Sequence, residues 1–193
     1  MTGCAMTGSR VYLTLHSNPK RKLKYTWEIV ETHAATICVN THRPNRVIDE
    51  ALRLGTLPFK SDDDVVNREV VYGREKARLD FCLEGKDRRF YLEVKSVTLS
   101  DDPGKAAFPD AKTTRGHKHL RALMEAVGSG HRAAMVYCVS RTDTQEMTIA
   151  EDIDPKYAEL ARMAKKVGVE FYAFGMKIEL PHLSIDREVH LTF

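Results

Sequence analysis

Residues 78–95 read RLDFCLEGKDRRFYLEVK, two short apolar runs on either side of a turn that contains Gly85. Apolar runs separated by such a turn predict a β-hairpin. Side chains alternate between the faces of a strand, so the parity of the residue number decides which side chains meet. The apolar faces are then expected to consist of Leu79, Phe81 and Leu83 on the first strand and Phe90, Leu92 and Val94 on the second.

The opposite face of this predicted hairpin brings two acids together. If the strands pair symmetrically about the turn, residue 83 meets residue 90, and Asp80 meets Glu93. Carboxylates opposite each other on neighbouring strands have Cβ atoms about 5 Å apart, and they repel. A hard divalent cation bound through oxygen, Mg²⁺ or Mn²⁺, would offset that repulsion. Lys95 follows on the same face, within reach of whatever the cation holds.

Asp80, a dozen intervening residues and then Glu93-Val-Lys95 on one sheet face form the pattern of the PD-(D/E)xK nuclease superfamily. Glu-x-Lys alone is a weak signal, but the flanking sequence is specific. It resembles the sugar fermentation stimulation protein A family of prokaryotes over nearly the whole chain. The segments that carry the resemblance are residues 18–23 (NPKRKL), 25–28 (YTWE), 38–41 (CVNT), 78–81 (RLDF), 91–99 (YLEVKSVTL), 108–111 (FPDA) and 114–120 (TRGHKHL).

The resemblance implies an α/β fold, with a PD-(D/E)xK nuclease-like domain whose mixed central sheet is flanked by helices. A partial OB-like β module precedes it; we place the module at residues 1–40 and the nuclease-like domain at residues 41–193. The first residues match the interior of the family's first domain, so the chain is expected to be shortened or to begin at an internal start. The resemblance also implies a DNA-binding protein associated with sugar (maltose) metabolism and transcription regulation, and it leaves hydrolysis open.

Composition adds limits on location and partners. The four cysteines, Cys4, Cys38, Cys82 and Cys138, show no C-x-x-C spacing. They are predicted to be reduced and buried, as in a cytoplasmic protein. No apolar run approaches the roughly 20 residues that span a bilayer. The formal net charge of +3 is too small to indicate nucleic-acid binding, so the distribution of charge matters more.

One concentration of charge is a turn between two predicted strands, residues 11–16 and 25–31. The turn carries four cations in five residues, Lys20, Arg21, Lys22 and Lys24. Cations at a hairpin tip neutralise phosphates and give salt-dependent affinity. Tyr25 and Trp27 are close enough in sequence to stack on unpaired bases. The alternative is a solvated turn with Trp27 in the core; with the family resemblance, DNA contact is favoured.

Residues 44–54 are predicted to form a helix, because Val47 and Ala51 recur at helical spacing and Pro44 suits a first turn. In the nuclease superfamily the helix ahead of the sheet often gives an acid to the metal site. The resemblance therefore makes Glu50 a candidate metal ligand beside the two hairpin acids. A Glu50 that faces solvent is the alternative.

A second helix is predicted over residues 115–127. Backbone N–H groups at its N-terminal end favour phosphate, so Arg115 and Lys118 are candidate DNA contacts. His117 and His119 flank Lys118, but residues two apart on a helix do not share a face. The sequence therefore predicts no zinc site made by this pair.

The remaining sequence predicts alternating helices and strands. The order helix, three strands, helix, strand, helix, strand is the core order of the nuclease superfamily. The other expected elements are a strand at residues 69–72, in which Glu69 is a further possible ligand, a long polar loop at 98–114, a buried strand at 133–139, a helix from Asp154 to Gly168, a strand at 169–174, and one or two edge strands within 176–193.

Three functional hypotheses follow. The first is a DNA-binding protein with little sequence preference. The second is a Mg²⁺-dependent nuclease acting on DNA or RNA, in which Asp80, Glu93 and the Val94 carbonyl hold the metal and Lys95 orients or deprotonates the attacking water. The third treats Glu93 and Lys95 as a surface ion pair, with Asp80 at a strand end. It is the least favoured, because it leaves the facing carboxylates unexplained.

Overall fold

In the part of the chain that the computed structural model describes, residues 4, 6–86, 89–102 and 104–193, the elements are three sheets and three α-helices. Residues 87 and 88 of the predicted hairpin turn, residue 103 of the predicted loop, and residues 1–3 and 5 of the predicted module lie outside it. None of the described helices is both long and apolar enough to cross a membrane. The elements are β1 (Arg10–Leu15), β2 (Tyr25–Glu31), β3 (Thr36–Cys38), α1 (Arg43–Leu54), β4 (Val65–Tyr72), β5 (Ala77–Glu84), β6 (Arg89–Val97), β7 (Leu99–Asp102), β8 (Lys105–Phe108), α2 (Thr114–Gly128), β9 (Arg132–Val139), β10 (Glu146–Ile149), α3 (Pro155–Val167), β11 (Glu170–Glu179), β12 (His182–Glu188) and β13 (His190–Thr192).

The central sheet has six strands in the order β12-β11-β9-β6-β5-β4. Strands β6, β9 and β11 are parallel, and the other neighbours are antiparallel. Parallel neighbours need crossover connections, which here contain α2 and α3. This is the mixed sheet with flanking helices that the sequence predicted, and the predicted core order of elements is confirmed.

Strands β5 and β6 form the predicted hairpin in the predicted register. Leu83 lies opposite Phe90, and the ladder continues to the pair Phe81–Leu92. Beyond that pair the Val94 N–H donates to Oδ2 of Asp80 at 2.8 Å. The regular ladder therefore gives way to a side-chain contact where the predicted site begins.

One part of the predicted face assignment is wrong. Phe81 and Leu83 pack in the core on the α1 side of the sheet, whereas Leu79 packs in the core on the α2 side. The alternation changes at Asp80, where the carboxylate binds the backbone of β6 and the paired ladder ends. Parity arguments assume a regular strand, so they fail at such a point.

Two apolar clusters hold the layers together. On one face, Leu120 of α2 and Leu160 of α3 pack over the sheet. On the other face, Ile48 and Leu52 of α1 do the same. Burying each leucine or isoleucine side chain contributes about 1.5–3 kcal/mol. The sheet is thus covered by helices on both sides, and β9 is buried along nearly its whole length.

The prediction of a long polar loop at residues 98–114 is wrong. This region contains β7 and β8, which join β10 and β13 in a second sheet of order β13-β10-β8-β7. Each of β7, β8 and β10 has only four residues. Their apolar periodicity is too short to detect, and the parallel pairing of β8 with β10 is set by distant sequence.

The N-terminal module is a three-stranded sheet in the order β1-β2-β3. The predicted β1–β2 hairpin is antiparallel, with its basic turn at the tip. At the other edge, the Cys38 N–H donates to the Ser140 carbonyl at 2.8 Å, and Ile37 bridges to Arg141. The module is therefore joined by backbone hydrogen bonds to the segment that follows β9.

Glu28 ties this module to the start of α1. Its Oε1 accepts from Thr14 Oγ1 at 2.8 Å, and its Oε2 accepts from Asn40 Nδ2 at 2.9 Å and Arg43 Nε at 2.7 Å. Burial acts to raise the pKa of Glu28, but the hydrogen bonds from Arg43, Asn40 and Thr14 outweigh it and hold the pKa at about 2. The carboxylate is therefore ionised and stabilises the junction.

Replacing Glu28 with Gln is expected to lower the free energy of unfolding by about 2 kcal/mol at pH 7, because charged hydrogen bonds are lost. The folded pKa lies below the unfolded value of about 4.3, so this stabilisation is present above that pH and declines as pH falls toward 2. Urea unfolding at pH 7 and pH 3 should show a smaller difference at pH 3. The control, Glu159→Gln in an exposed ion pair, should change stability by less than about 0.5 kcal/mol. Equal losses from both variants would contradict the role of Glu28.

Candidate active site

A cleft of about 680 Å³ lies beside the end of the β5–β6 ladder. Residues from α1, β4, β5, β6 and α2 line it, together with the β3–α1 connection and the β4–β5 turn. The lining contains acids, cations and a few neutral polar groups. The lining residues are Thr41, His42, Asn45, Glu69, Lys76, Arg78, Asp80, Glu93, Val94, Lys95, Arg115, Lys118 and His119.

Asp80 is held on both carboxylate oxygens. Its Oδ1 accepts from Asn45 Nδ2 at 2.6 Å, and its Oδ2 accepts from the Val94 N–H at 2.8 Å. The residue is only 8% exposed. Burial, with a further contribution from the charge of Glu93, raises the pKa of Asp80 to about 6. The structure thus brings Asp80 and Glu93 to one cleft, close enough to affect each other electrostatically.

Glu93 is 2% exposed and uses its two oxygens differently. Lys95 Nζ lies 2.6 Å from Oε1, and Nδ1 of His119 also contacts Oε1. Oε2 is buried and has no hydrogen-bond partner among the described residues. Burial acts to raise the pKa of Glu93, but the charge of Lys95 and the contact with His119 outweigh it and lower the pKa. A buried, ionised oxygen without a partner is costly and needs an explanation.

The donor set decides which metal could supply that partner. Within the described ranges, no group of three or more His, Cys, Asp or Glu side chains is placed to hold a metal ion. Zinc sites need three or four protein ligands. Mg²⁺ often takes only one or two protein carboxylates and completes its shell with water and substrate phosphates. Asp80 and Glu93, with one free buried oxygen, therefore fit Mg²⁺ or Mn²⁺ and do not fit a zinc site.

The structure does not bring Glu50 to the cleft, so its predicted place in the metal site is wrong. Helix α1 packs against the sheet through Val47, Ile48 and Ala51, and Glu50 lies on its exposed face. The helix contributes Asn45 instead, through its hydrogen bond to Asp80. Helix α1 thus contributes an amide that binds Asp80, and not the metal-binding acid that the superfamily resemblance led us to expect.

Glu69 lines the cleft from β4 with an unusual backbone conformation. Its φ is +55°, which is uncommon for a residue other than glycine and often marks functional sites. Its side chain lies 3.4 Å from Arg78 Nη1 in an exposed ion pair. Glu69 is thus near the site, as the sequence suggested, but its carboxylate pairs with Arg78.

The rim of the cleft is cationic on two sides. Arg115 and Lys118, which the sequence made candidate DNA contacts, line it from α2. Lys76 of the β4–β5 turn and Arg78 of β5 also line it, and the sequence analysis missed both. Their only sequence signal was closeness to Asp80. Backbone pairing of β4 with β5 is what carries them to the cleft.

The basic hairpin tip is a separate surface. Lys20, Arg21, Lys22 and Lys24 are exposed and do not line the cleft. Trp27 is half-buried, its indole N–H donates to the Ile29 carbonyl at 3.0 Å, and its ring packs against the small core of the module. That packing limits the ring face that Trp27 could offer to a base.

Asp154 fixes the start of α2 above the cleft. It accepts from the backbone N–H of Tyr157, which caps α3, and from that of Thr113 at 2.8 Å. It also contacts His117 Nε2 at 2.9 Å. His117 therefore faces α3 while His119 faces Glu93, and the two do not form a site together. A Cβ at position 116 would lie 2.7 Å from Thr113 Cγ2, so only glycine fits this close approach.

Two family models match this chain. Residues 42–182 match the family model described as the sugar fermentation stimulation protein RE domain, and residues 1–39 match the SfsA N-terminal OB domain. The chain belongs to the sugar fermentation stimulation protein family. The resemblance noted in the sequence is thereby confirmed, together with the OB-type assignment of the N-terminal module.

Relatives and a solved structure agree with this family. A sugar fermentation stimulation protein homolog of Pseudomonas savastanoi pv. phaseolicola is 45% identical over 99% of this chain and 81% of its own length. The homolog of Pseudoalteromonas atlantica is 42% identical over 98% of this chain and 81% of its own length. The structure of Pyrococcus furiosus SfsA in complex with Ca²⁺ superposes with a TM-score of 0.85, at 25% identity, over 95% of this chain and 78% of that one. The predicted fold class is confirmed.

Replacing Asp154 with Ala is expected to lower the free energy of unfolding by about 3 kcal/mol, because the cap of α3 and the hydrogen bonds to Thr113 and His117 are lost together. Chemical denaturation measures the loss, and hydrogen exchange should quicken at the start of α2. Asp152→Ala, an exposed neighbour, should cost less than about 0.5 kcal/mol. Unchanged exchange in α2 after Asp154→Ala would show that Asp154 does not hold that helix.

Proposed function

We propose that this protein binds the phosphodiester backbone of DNA in the cleft, with a divalent cation held by Asp80 and Glu93. The observation that carries the proposal is a pair of buried carboxylates on the floor of a cleft with a cationic rim. The rim residues are Lys76, Arg78, Arg115 and Lys118.

Charge explains why the two features belong together. Two ionised acids alone would repel a phosphate, whereas a bound divalent cation would turn the floor of the cleft into an attractive surface. The free Oε2 of Glu93 supplies a hard oxygen donor for it. The solved Pyrococcus furiosus SfsA is a complex with Ca²⁺, and this supports a divalent cation here.

Contacts to phosphate position DNA without reading its sequence. The cationic rim therefore supports binding with little sequence preference. The exposed hairpin tip, Lys20 to Lys24, offers a second phosphate-binding surface on an OB-type module, a fold class that binds single strands. The family name supports a link to sugar fermentation. We extend the proposal to regulation of sugar (maltose) metabolism, exerted through DNA in the cytoplasm.

A second candidate function is hydrolysis of the bound DNA or RNA. It is favoured because Asp80, Glu93 and Lys95 are all present and all line the cleft. A bound Mg²⁺ would polarise a phosphate and lower the pKa of a water molecule. Lys95 is held beside Glu93, where its ammonium group can orient a water and stabilise negative charge. Asn45 and the Val94 N–H keep Asp80 in place.

DNA binding should weaken with salt, and the double variant Arg115→Ala, Lys118→Ala should reduce the slope of log affinity against log salt by about two. Each lost cation removes a phosphate contact. Fluorescence anisotropy with labelled single- and double-stranded DNA across a KCl series measures the slope.

The matched control is Lys165→Ala, Lys166→Ala, at exposed positions at the end of α3, which should leave the slope unchanged. The triple variant Lys20→Ala, Lys22→Ala, Lys24→Ala should lower the slope if the hairpin tip also binds phosphate. An affinity that does not change with salt would contradict phosphate contact altogether.

If the site is an active nuclease, Asp80→Asn and Lys95→Ala should each lower Mg²⁺- or Mn²⁺-dependent cleavage at least about 100-fold, while Lys95→Ala, which leaves both carboxylates in place, should still bind DNA. Gel analysis of labelled oligonucleotides measures cleavage. Glu50→Gln removes an acid outside the cleft and should cut as the wild type does. A wild-type protein that binds DNA and never cuts it with either metal would leave binding as the function and reject hydrolysis.

A further inference from the structure

His119 is a buried residue of the cleft that neither candidate function has used so far. It is 2% exposed and projects from α2. Its Nδ1 contacts Oε1 of Glu93 and lies 3.0 Å from Lys95 Nζ. On the other side of the ring, Nε2 lies 3.4 Å from Arg115 Nε. The imidazole therefore sits between a rim cation and the acid on the cleft floor.

The contacts with Arg115 and Glu93 indicate which ring nitrogen carries the proton. The Arg115 Nε–H can only donate, so Nε2 of His119 faces it as an acceptor. Oε1 of an ionised Glu93 can only accept, so Nδ1 faces it as a donor. The opposite tautomer would place a proton against the arginine and a lone pair against the carboxylate. The neutral Nδ1–H tautomer satisfies the contacts with Arg115 and Glu93. Lys95 Nζ, which also can only donate, lies 3.0 Å from Nδ1 and finds its acceptor in Oε1 of Glu93, not in the ring.

This arrangement treats the two oxygens of Glu93 unequally. Oε1 receives both Lys95 Nζ and the His119 Nδ1–H. Oε2 is buried and, within the described part of the chain, has no hydrogen-bond partner. With Oε1 occupied on two sides, Oε2 is the oxygen left for a ligand from the cleft.

We propose that His119 is a positioning residue that holds Oε1 of Glu93 through Nδ1–H and so presents Oε2 to the divalent cation. The inference rests on the proposed function, since it requires a cation at Asp80 and Glu93. Replacing a residue that hydrogen-bonds to a metal ligand commonly weakens metal affinity by about 10- to 100-fold.

The ring is carried by a rigid part of the fold, as such a role requires. The N-terminal turn of α2 is fixed by the Thr113 cap and by the Asp154 hydrogen bond to the Thr113 N–H. The next turn packs Leu120 into the core. His119 lies between these two fixed points, so the backbone that carries its ring is held in place beside Glu93.

Two amide variants separate this role from simple packing. The side-chain nitrogen of Asn occupies the position of Nδ1, and that of Gln occupies the position of Nε2. His119→Asn should therefore keep Mn²⁺ affinity within about threefold of wild type, whereas His119→Gln should weaken it about 10- to 100-fold. Isothermal titration with Mn²⁺ alone measures the affinity, and thermal melting of both variants checks the fold.

The outcomes distinguish this inference from the proposed function. If wild type binds Mn²⁺ and the Asn and Gln variants bind it equally well, His119 does not position Glu93, although the cation site stands. If wild type binds no Mn²⁺, both proposals fall. A further measurement needs no metal: nitrogen-15 NMR of labelled histidines, assigned by loss of the signal in His119→Asn, should show the Nδ1–H tautomer. The Nε2–H tautomer would overturn the inference.

Discussion

The constraint on which the cleft depends is the burial of two carboxylates at the end of one β-ladder. Asp80 and Glu93 are each at most 8% exposed, and burial together with the charge of Glu93 raises the pKa of Asp80 to about 6. Burying an acid in a sheet is unfavourable unless each oxygen has a partner. Asn45 and a backbone N–H stabilise one acid, and Lys95 and His119 stabilise the other. The oxygen left over is the one that the proposed cation would bind.

The rest of the fold keeps those partners in place. Helix α1 carries Asn45, and the contact between Arg43 and Glu28 ties the start of that helix to the N-terminal module. Helix α2 carries His119 and two rim cations, and Asp154 fixes its beginning against α3. The module and α3 therefore act on the site indirectly, through the helices that they hold. A change in either can alter the cleft without touching it.

How far the sequence predicts the structure depends on whether the signal is local. The β5–β6 register followed from one turn and from strand parity, and the hairpin of the module from one basic turn. The short strands β7, β8 and β10 could not be predicted in this way, because their pairing joins segments far apart in the chain. For the site itself, the spacing of an Asp and a Glu-x-Lys motif on the predicted hairpin indicated Asp80, Glu93 and Lys95. Glu50 was proposed from the superfamily resemblance and Asn45 was missed, because that resemblance does not tell which face of α1 packs on the sheet.

His119 also shows that local sequence signals do not locate a side chain within the fold. Helical spacing correctly separated it from His117, but spacing says nothing about which strand a helix faces. Only the packing of α2 on β6 brings the ring to Glu93. The rim residues Lys76 and Arg78 were missed for a similar reason, since the pairing of β4 with β5 carries them to the cleft.

Locating the cation tests most directly whether Asp80 and Glu93 form a metal site. Crystals of the wild-type protein grown with Mn²⁺ would give an anomalous difference map in which the metal is identified by its scattering. We expect a peak bound by the side chains of Asp80 and Glu93, and no such peak in Asp80→Asn crystals. A wild-type map with no metal at these two carboxylates would contradict the central claim.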